Sequence, residues 1–264
     1  MTAIIYAFLV LTALGLILGI GLNIADKKLA VQKDEKLEAL EGIMPGANCG
    51  GCGFAGCSAY AQAVYEGSAK PGLCSPGGQN LADKMGEILN IKVDKVEKLT
   101  AFVFCSGNSE ATSRKFDYKG LDDCNAAAML FNGDLSCKSG CLALGSCIKV
   151  CNENAIYRDA DGTIKVNRAL CSGCGKCTKV CHNNVIKLIP FTQDCVVACN
   201  SNESGAVVRK ICKNGCIGCK ICENKFPASG LKVDNCLAFK DNCPSNEETN
   251  LAIQACPVKV IRKI

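Results

Sequence analysis

The chain has 264 residues, 23 of them Cys, with one His, no Trp and a formal charge of +5. A cysteine content of about 9% fits either a disulfide scaffold or bound metal. The length, the tight cysteine runs and the lack of a cleavable signal peptide exclude a short secreted scaffold, and the single His excludes His-rich metal or haem ligation. The charge is no argument for nucleic acid, because it counts every Cys as neutral.

From Met1 to Ala25 no residue is charged and nearly all are apolar. At about 1.5 Å per residue this is long enough to cross a bilayer. Nothing basic precedes the segment, as a signal peptide would require, and Lys27-Lys28 follow it. The expectation is a single transmembrane helix over 1–25 in the cell (inner) membrane. The positive-inside rule then places the C-terminal domains in the cytoplasm. The charged, helical pattern of 26–43 reads as a stalk.

A first module over 44–98 carries its own ligand set. Cys49-x2-Cys52-x4-Cys57 lies in a glycine-dense loop, and Cys74 follows an alanine-rich helix. Glycines let such a loop fold tightly and aim its N–H groups at cluster sulfurs. The pattern predicts helices over 58–66 and 80–89.

The most specific run is Cys171-Ser-Gly-Cys174-Gly-Lys-Cys177-Thr-Lys-Val-Cys181. This is the spacing that wraps a [4Fe–4S] cluster, with the fourth thiolate reaching to a second cluster. Structural zinc usually uses separated cysteine pairs instead. The partner run is Cys137-x3-Cys141-x5-Cys147-x3-Cys151, in which Leu144 stands where an ordinary run has Cys. Cross-ligation predicts one cluster on Cys137, Cys141, Cys147 and Cys181, and another on Cys151, Cys171, Cys174 and Cys177.

A gapless period of 75 residues maps Cys124, Cys137, Cys141, Cys147 and Cys181 onto Cys199, Cys212, Cys216, Cys222 and Cys256. The fold expected is therefore α+β, with the helical anchor and first module followed by two tandem ferredoxin-like units of βαβ type, 99–190 and 191–264. In the second copy the counterparts of one whole ligand set are Phe226, Asn246, Thr249 and Ala252, so one cluster is lost as a unit. The other set reads as Cys216, Cys219, Cys222 and Cys256, with Cys212 as the alternative to Cys219. The total is four [4Fe–4S] clusters, within a range of three to five. Each adds a charge of about −2, which leaves the loaded protein near −3. Cys105, Cys124, Cys195, Cys199, Cys236 and Cys243 remain over; they read as buried free thiols or as material for a further cluster. Cys124 and Cys199 stand out because both copies keep them.

The apolar N-terminus, the loop Met44-Pro45-Gly46-Ala47-Asn48-Cys49-Gly50-Gly51-Cys52-Gly53, Tyr118-Lys119-Gly120-Leu121-Asp122-Asp123-Cys124 and Gly140-Cys141-Leu142-Ala143-Leu144-Gly145-Ser146-Cys147 together resemble the iron–sulfur B subunit of the Rnf complex. The resemblance covers essentially the whole chain. It implies a membrane-bound, ion-translocating ferredoxin:NAD⁺ oxidoreductase in which this subunit takes electrons from reduced ferredoxin and works beside flavin and iron–sulfur subunits. No dinucleotide fingerprint, P-loop or acid–base dyad is present, so the chain reads as an electron carrier without hydride chemistry. A subunit of another membrane redox complex, such as a hydrogenase or quinone reductase, is the alternative function.

Ferredoxins are usually acidic. From Cys195 to Ile264 there are ten Lys/Arg against six Asp/Glu. Arg209, Lys210, Lys213, Lys220 and Lys225 crowd the second cluster loop and are the expected docking residues. The first module, next to the anchor, is the expected electron exit. His182 reads as a surface residue beside a cluster ligand.

Overall fold

The structure is a computed structural model that describes residues 2–29, 34–240 and 245–264. Cys243 and residues 30–33 of the expected stalk lie outside the described residues, and so do the side chains of Lys27 and Lys28, on which the expected orientation rested.

The chain opens with α1 (Thr2–Leu29). The expected transmembrane anchor and the single-pass localisation need correction, because among the described residues no helix is long and apolar enough to cross a membrane.

Next come α2 (Glu35–Gly42), α3 (Cys57–Tyr65) and α4 (Gly78–Leu89). Asp34 caps α2, its carboxylate accepting from the Lys36 N–H. The α2 helix is not a free stalk: Leu40 is fully buried with Tyr60, Val64, Leu81 and Met85, a core that joins α2, α3 and α4. Burial of such a leucine is worth about 1.5–3 kcal/mol.

The rest of the chain holds β1 (Leu99–Val103), α5 (Cys124–Ala128), α6 (Ser146–Lys149), β2 (Ile156–Arg158), β3 (Ile164–Val166), α7 (Lys176–Lys179) and β4 (Ile186–Pro190). After these come β5 (Cys195–Val197), α8 (Gly205–Ile211), α9 (Ile221–Asn224), a 3₁₀ turn at Pro227–Ser229, β6 (Leu231–Asp234), β7 (Leu237–Lys240), α10 (Glu247–Ala255) and β8 (Ile261–Lys263). All four sheets among the described residues have two strands: β1 with β4, β2 with β3, β5 with β8 and β6 with β7. Every pair is antiparallel. This corrects the expected βαβ units. A parallel crossover takes a dozen or more residues, usually a helix, whereas α6, α7 and α9 have four residues each.

The two copies close alike. The first and last strands of each pair across it, and the next amide extends the ladder: Phe104 N to Val185 O at 2.7 Å, and Ala198 N to Val260 O at 2.8 Å. One apolar core lies under each closure, with Ala101, Val103, Ile156 and Ile186 in the first copy. In the second, Val197, Leu231, Ala238 and Ile261 do the same.

Candidate metal centres

The first group is Cys49, Cys52, Cys57 and Cys74. Asn48 Oδ1 accepts from Cys57 N at 2.8 Å, which fixes the loop on the start of α3. The Tyr60 hydroxyl donates to Lys70 O at 3.0 Å and accepts from Leu73 N at 3.2 Å, holding the segment that carries Cys74 against the same loop. Burial pushes the Cys74 thiol up, and the nearby Cys52, Cys49 and Cys57 add to the rise.

Cys151, Cys171, Cys174 and Cys177 form the second group. Burial pushes Cys177 up to about 12, with Cys171, Cys174, Cys147 and Cys151 contributing in that order. Ala101 N donates to Cys171 Sγ at 3.4 Å.

In the third group Cys124, Cys141, Cys147 and Cys181 line one cavity. Burial, then Cys124 and Cys181, push the Cys147 thiol up to about 11. Asp123 caps α5 through the N–H groups of Asn125 and Ala126, both at 2.9 Å. Ser146 Oγ accepts from Cys124 N at 2.7 Å and donates to Asp123 at 2.9 Å, tying Cys124 to the loop of Cys147. Cys137, expected in this group, does not line this cavity but shares another with Cys141, while Cys124, which the cysteine spacing does not pair with the group, lines it.

Cys216, Cys219, Cys222 and Cys256 line another cavity and make the fourth group. Cys222 is pushed up to about 11 by burial, then by Cys216, Cys219 and Cys256. Here Cys219, not Cys212, sits beside Cys216. A fifth group, Cys105, Cys137, Cys199 and Cys212, lines a further cavity, whose wall also includes Cys141 of the third group.

Three of the loops share one backbone. Ala143, Gly173 and Gly218 have φ of 56°, 69° and 60°, and Gly145, Gly175 and Lys220 have 84°, 73° and 57°. The loop without a central cysteine therefore keeps the same winding. It does so although Ala143 carries the left-handed conformation at a cost of about 1–2 kcal/mol.

Among the described residues no group of three or more His, Cys, Asp or Glu is arranged to hold a single metal ion. Around one tetrahedral ion with metal–sulfur bonds of about 2.3 Å, sulfurs meet at about 3.8 Å. A four-iron core spaces its ligands wider. Quartets of mostly buried or half-buried thiols, three of them lining small cavities, with amides aimed at several of the sulfurs, fit such a core.

Residues 44–76 match the family described as "Putative Fe-S cluster". A Methanosarcina acetivorans protein, named as the B subunit of an ion-translocating oxidoreductase complex, is 38% identical over 262 residues, 98% of each chain. The B subunit of the Clostridium ljungdahlii proton-translocating ferredoxin:NAD(+) oxidoreductase complex is 36% identical over all of this chain and 94% of its own. Its counterpart in the Na(+)-translocating complex of Acetobacterium woodii is 34% identical over 93% of this chain and 78% of its own. The chain belongs to the family of Rnf B subunits.

In this Rnf protein the positions that the 75-residue period equates with Cys171, Cys174 and Cys177 belong to a capped helix. Asn246 caps α10 by accepting from Thr249 N at 2.9 Å, and Thr249 returns the contact. Thr249 is fully buried and donates to Ser229 O at 3.1 Å, Ala252 is buried, and Phe226 packs on the same core. Where the first copy winds Cys171–Cys177, the second has an ordinary helix face.

Arg209, Lys210, Lys213, Lys220 and Lys225 are all exposed. Cys219, beside Lys220, is the exposed member of its group. His182 is exposed and meets Asn132 Oδ1 at 3.2 Å. Of the remaining cysteines, Cys195 is buried in β5 and Cys236 is exposed between β6 and β7.

Proposed function

We propose that this Rnf protein is the electron-transfer subunit of a ferredoxin:NAD⁺ oxidoreductase complex and that it takes its electrons from reduced ferredoxin. The ligand sets are Cys49, Cys52, Cys57 and Cys74; Cys151, Cys171, Cys174 and Cys177; Cys124, Cys141, Cys147 and Cys181; and Cys216, Cys219, Cys222 and Cys256. When bound, a [4Fe–4S] cluster supplies one-electron storage and release.

The observation that carries the reading is the succession of these sets. The first-module loop touches the Cys174 loop, with Lys179 Nζ donating to Gly50 O at 3.1 Å. The Cys147 thiol in turn is a near neighbour of Cys177. The second copy holds the electron-accepting end, because Cys219 is exposed there among exposed lysines that complement an acidic donor. The first module holds the other end and hands electrons to partner subunits of the complex.

A complex assembled without this subunit should lose ferredoxin-driven NAD⁺ reduction while keeping NADH oxidation by an artificial acceptor. Undiminished ferredoxin-driven reduction would contradict the proposal.

A further inference from the structure

Cys105, Cys137, Cys199 and Cys212 belong to none of the four sets above, yet they face one another across the boundary between the copies. The arrangement has an internal two-fold logic. Cys105 and Cys199 each lie two residues beyond the first strand of their copy, and each amide donates back to the strand's last carbonyl at 2.9 Å, Val103 and Val197 respectively. Cys137 and Cys212 each lie four residues before the first cysteine of their copy's loop.

The sulfurs are served alike. Cys105 Sγ accepts from Gly107 N and Cys141 N, both at 3.4 Å. Cys199 accepts from the backbone of Ser201 and Cys216, the counterparts by position. Cys137 accepts from Ser139 N, and the Thr112 hydroxyl approaches Cys212 Sγ at 3.5 Å. Backbone bonds clamp the boundary on either side: Ser113 N to Ile211 O at 3.0 Å and Lys213 N to Ala111 O at 2.8 Å. Asn214 Nδ2 adds a bond to Ser106 O at 2.9 Å. The Ser106 hydroxyl lines the cavity, buried and without a partner.

Four thiols here converge on one small cavity, with backbone amides and a hydroxyl turned towards their sulfurs. Amides aimed at sulfur favour thiolate, and only a cationic core reconciles four thiolates at one place. We infer that Cys105, Cys137, Cys199 and Cys212 bind a fifth [4Fe–4S] cluster, held by two cysteines from each copy. On loading, four S–H bonds give way to four Fe–S bonds and four protons leave; a [4Fe–4S]²⁺ core supplied by the cell's cluster-assembly machinery ends with a charge of about −2. The site also fills the one break in the series. Cys105 accepts from the amide of Cys141, a third-set residue, and Cys199 accepts from that of Cys216, a fourth-set residue. This linking role rests on the relay reading, whereas the existence of the site does not.

The test is iron and acid-labile sulfide per chain on anaerobically purified full-length protein, for the native sequence and for Cys105→Ala/Cys199→Ala. Five clusters predict about twenty iron for the native chain and about sixteen for the variant, with four sets of paramagnetic signals retained. About sixteen in both, zinc in place of iron, or two disulfides among these cysteines would overturn the site. Should the double variant fail to fold, Thr112→Val keeps all four thiols. It is expected to hold about twenty iron and to shift the signal of one cluster only; an unshifted spectrum would count against the site. If the iron counts hold but reduced ferredoxin fails to reduce the protein, the relay reading fails and the site stands.

Discussion

Gly51 of the first module packs against Cys174 of the first copy so closely that a Cβ on Gly51 would stand 2.5 Å from the Cys174 carbonyl oxygen. Backbone on backbone leaves no flexible side chain to give way. Gly51→Val should therefore push the two ligand loops apart while sparing both sets of cysteines. Iron content should stay at the native value, and electron exchange between the first module and the rest should slow in rapid-mixing absorbance traces. Native exchange rates would show that this contact does not set the spacing.

Cys124 is the fourth member of the Cys141 group, so Cys124→Ala should remove about four iron per chain. Asp123→Ala should act more gently. It deletes the cap of α5 and the acceptor of Ser146, costing about 0.5–2 kcal/mol in denaturant unfolding. Because Ser146 then loses its anchor, that cluster's potential should shift while iron is retained.

In the second copy Asn246 caps a helix instead of standing in a cluster loop. Asn246→Ala should cost about 1 kcal/mol of stability by denaturant titration and leave iron unchanged. Loss of iron would place residue 246 in a metal site after all.

Charge reversal by Lys213→Glu/Lys220→Glu should slow oxidation of reduced ferredoxin and flatten its dependence on ionic strength, since exposed charges act mainly on encounter. Unchanged rate and salt dependence would remove the docking surface from the second copy.

Cys195 separates buried thiols from ligands. It is 1% exposed in β5, and burial pushes its thiol up from 9.0 to about 11, partly offset by the Lys240 amine. The folded state thus holds this proton more tightly than the unfolded chain. The resulting stability is complete below about pH 9 and is lost as pH rises towards 11. Native protein should resist alkylation at Cys195 at pH 9, and Cys195→Ala should keep its full iron.

The sequence shows most clearly those centres whose ligands are close neighbours in it. Cys49, Cys52 and Cys57, and Cys171, Cys174 and Cys177, each sit on one loop, so spacing alone predicts their grouping. Cys124 does not, because it reaches its group from α5, upstream of the loop it serves. The 75-residue period paired it with Cys199, whereas the strands equate Cys199 with Cys105. The gapless register holds from Cys137 and Cys212 onwards but breaks upstream of them, because the first copy runs 36 positions from Cys105 to Cys141 and the second only 17 from Cys199 to Cys216. A group split between two copies leaves no local spacing at all, which is why Cys105 looked like a leftover. Hydropathy alone misjudged the N-terminus, and the βαβ expectation carried over a connection that single-turn helices cannot make. The loss of Cys at 246, 249 and 252 was visible; that a capped helix replaces the loop needed the packing of Thr249 and Ala252.

The most direct test mixes the anaerobically purified, iron-loaded protein with reduced ferredoxin and follows both by absorbance and by electron paramagnetic resonance. Ferredoxin is expected to be oxidised and reduced-cluster signals to appear in the Rnf protein, more slowly at high salt and more slowly still in Lys213→Glu/Lys220→Glu. Ferredoxin that stays reduced beside a fully iron-loaded, oxidised partner would contradict that expectation.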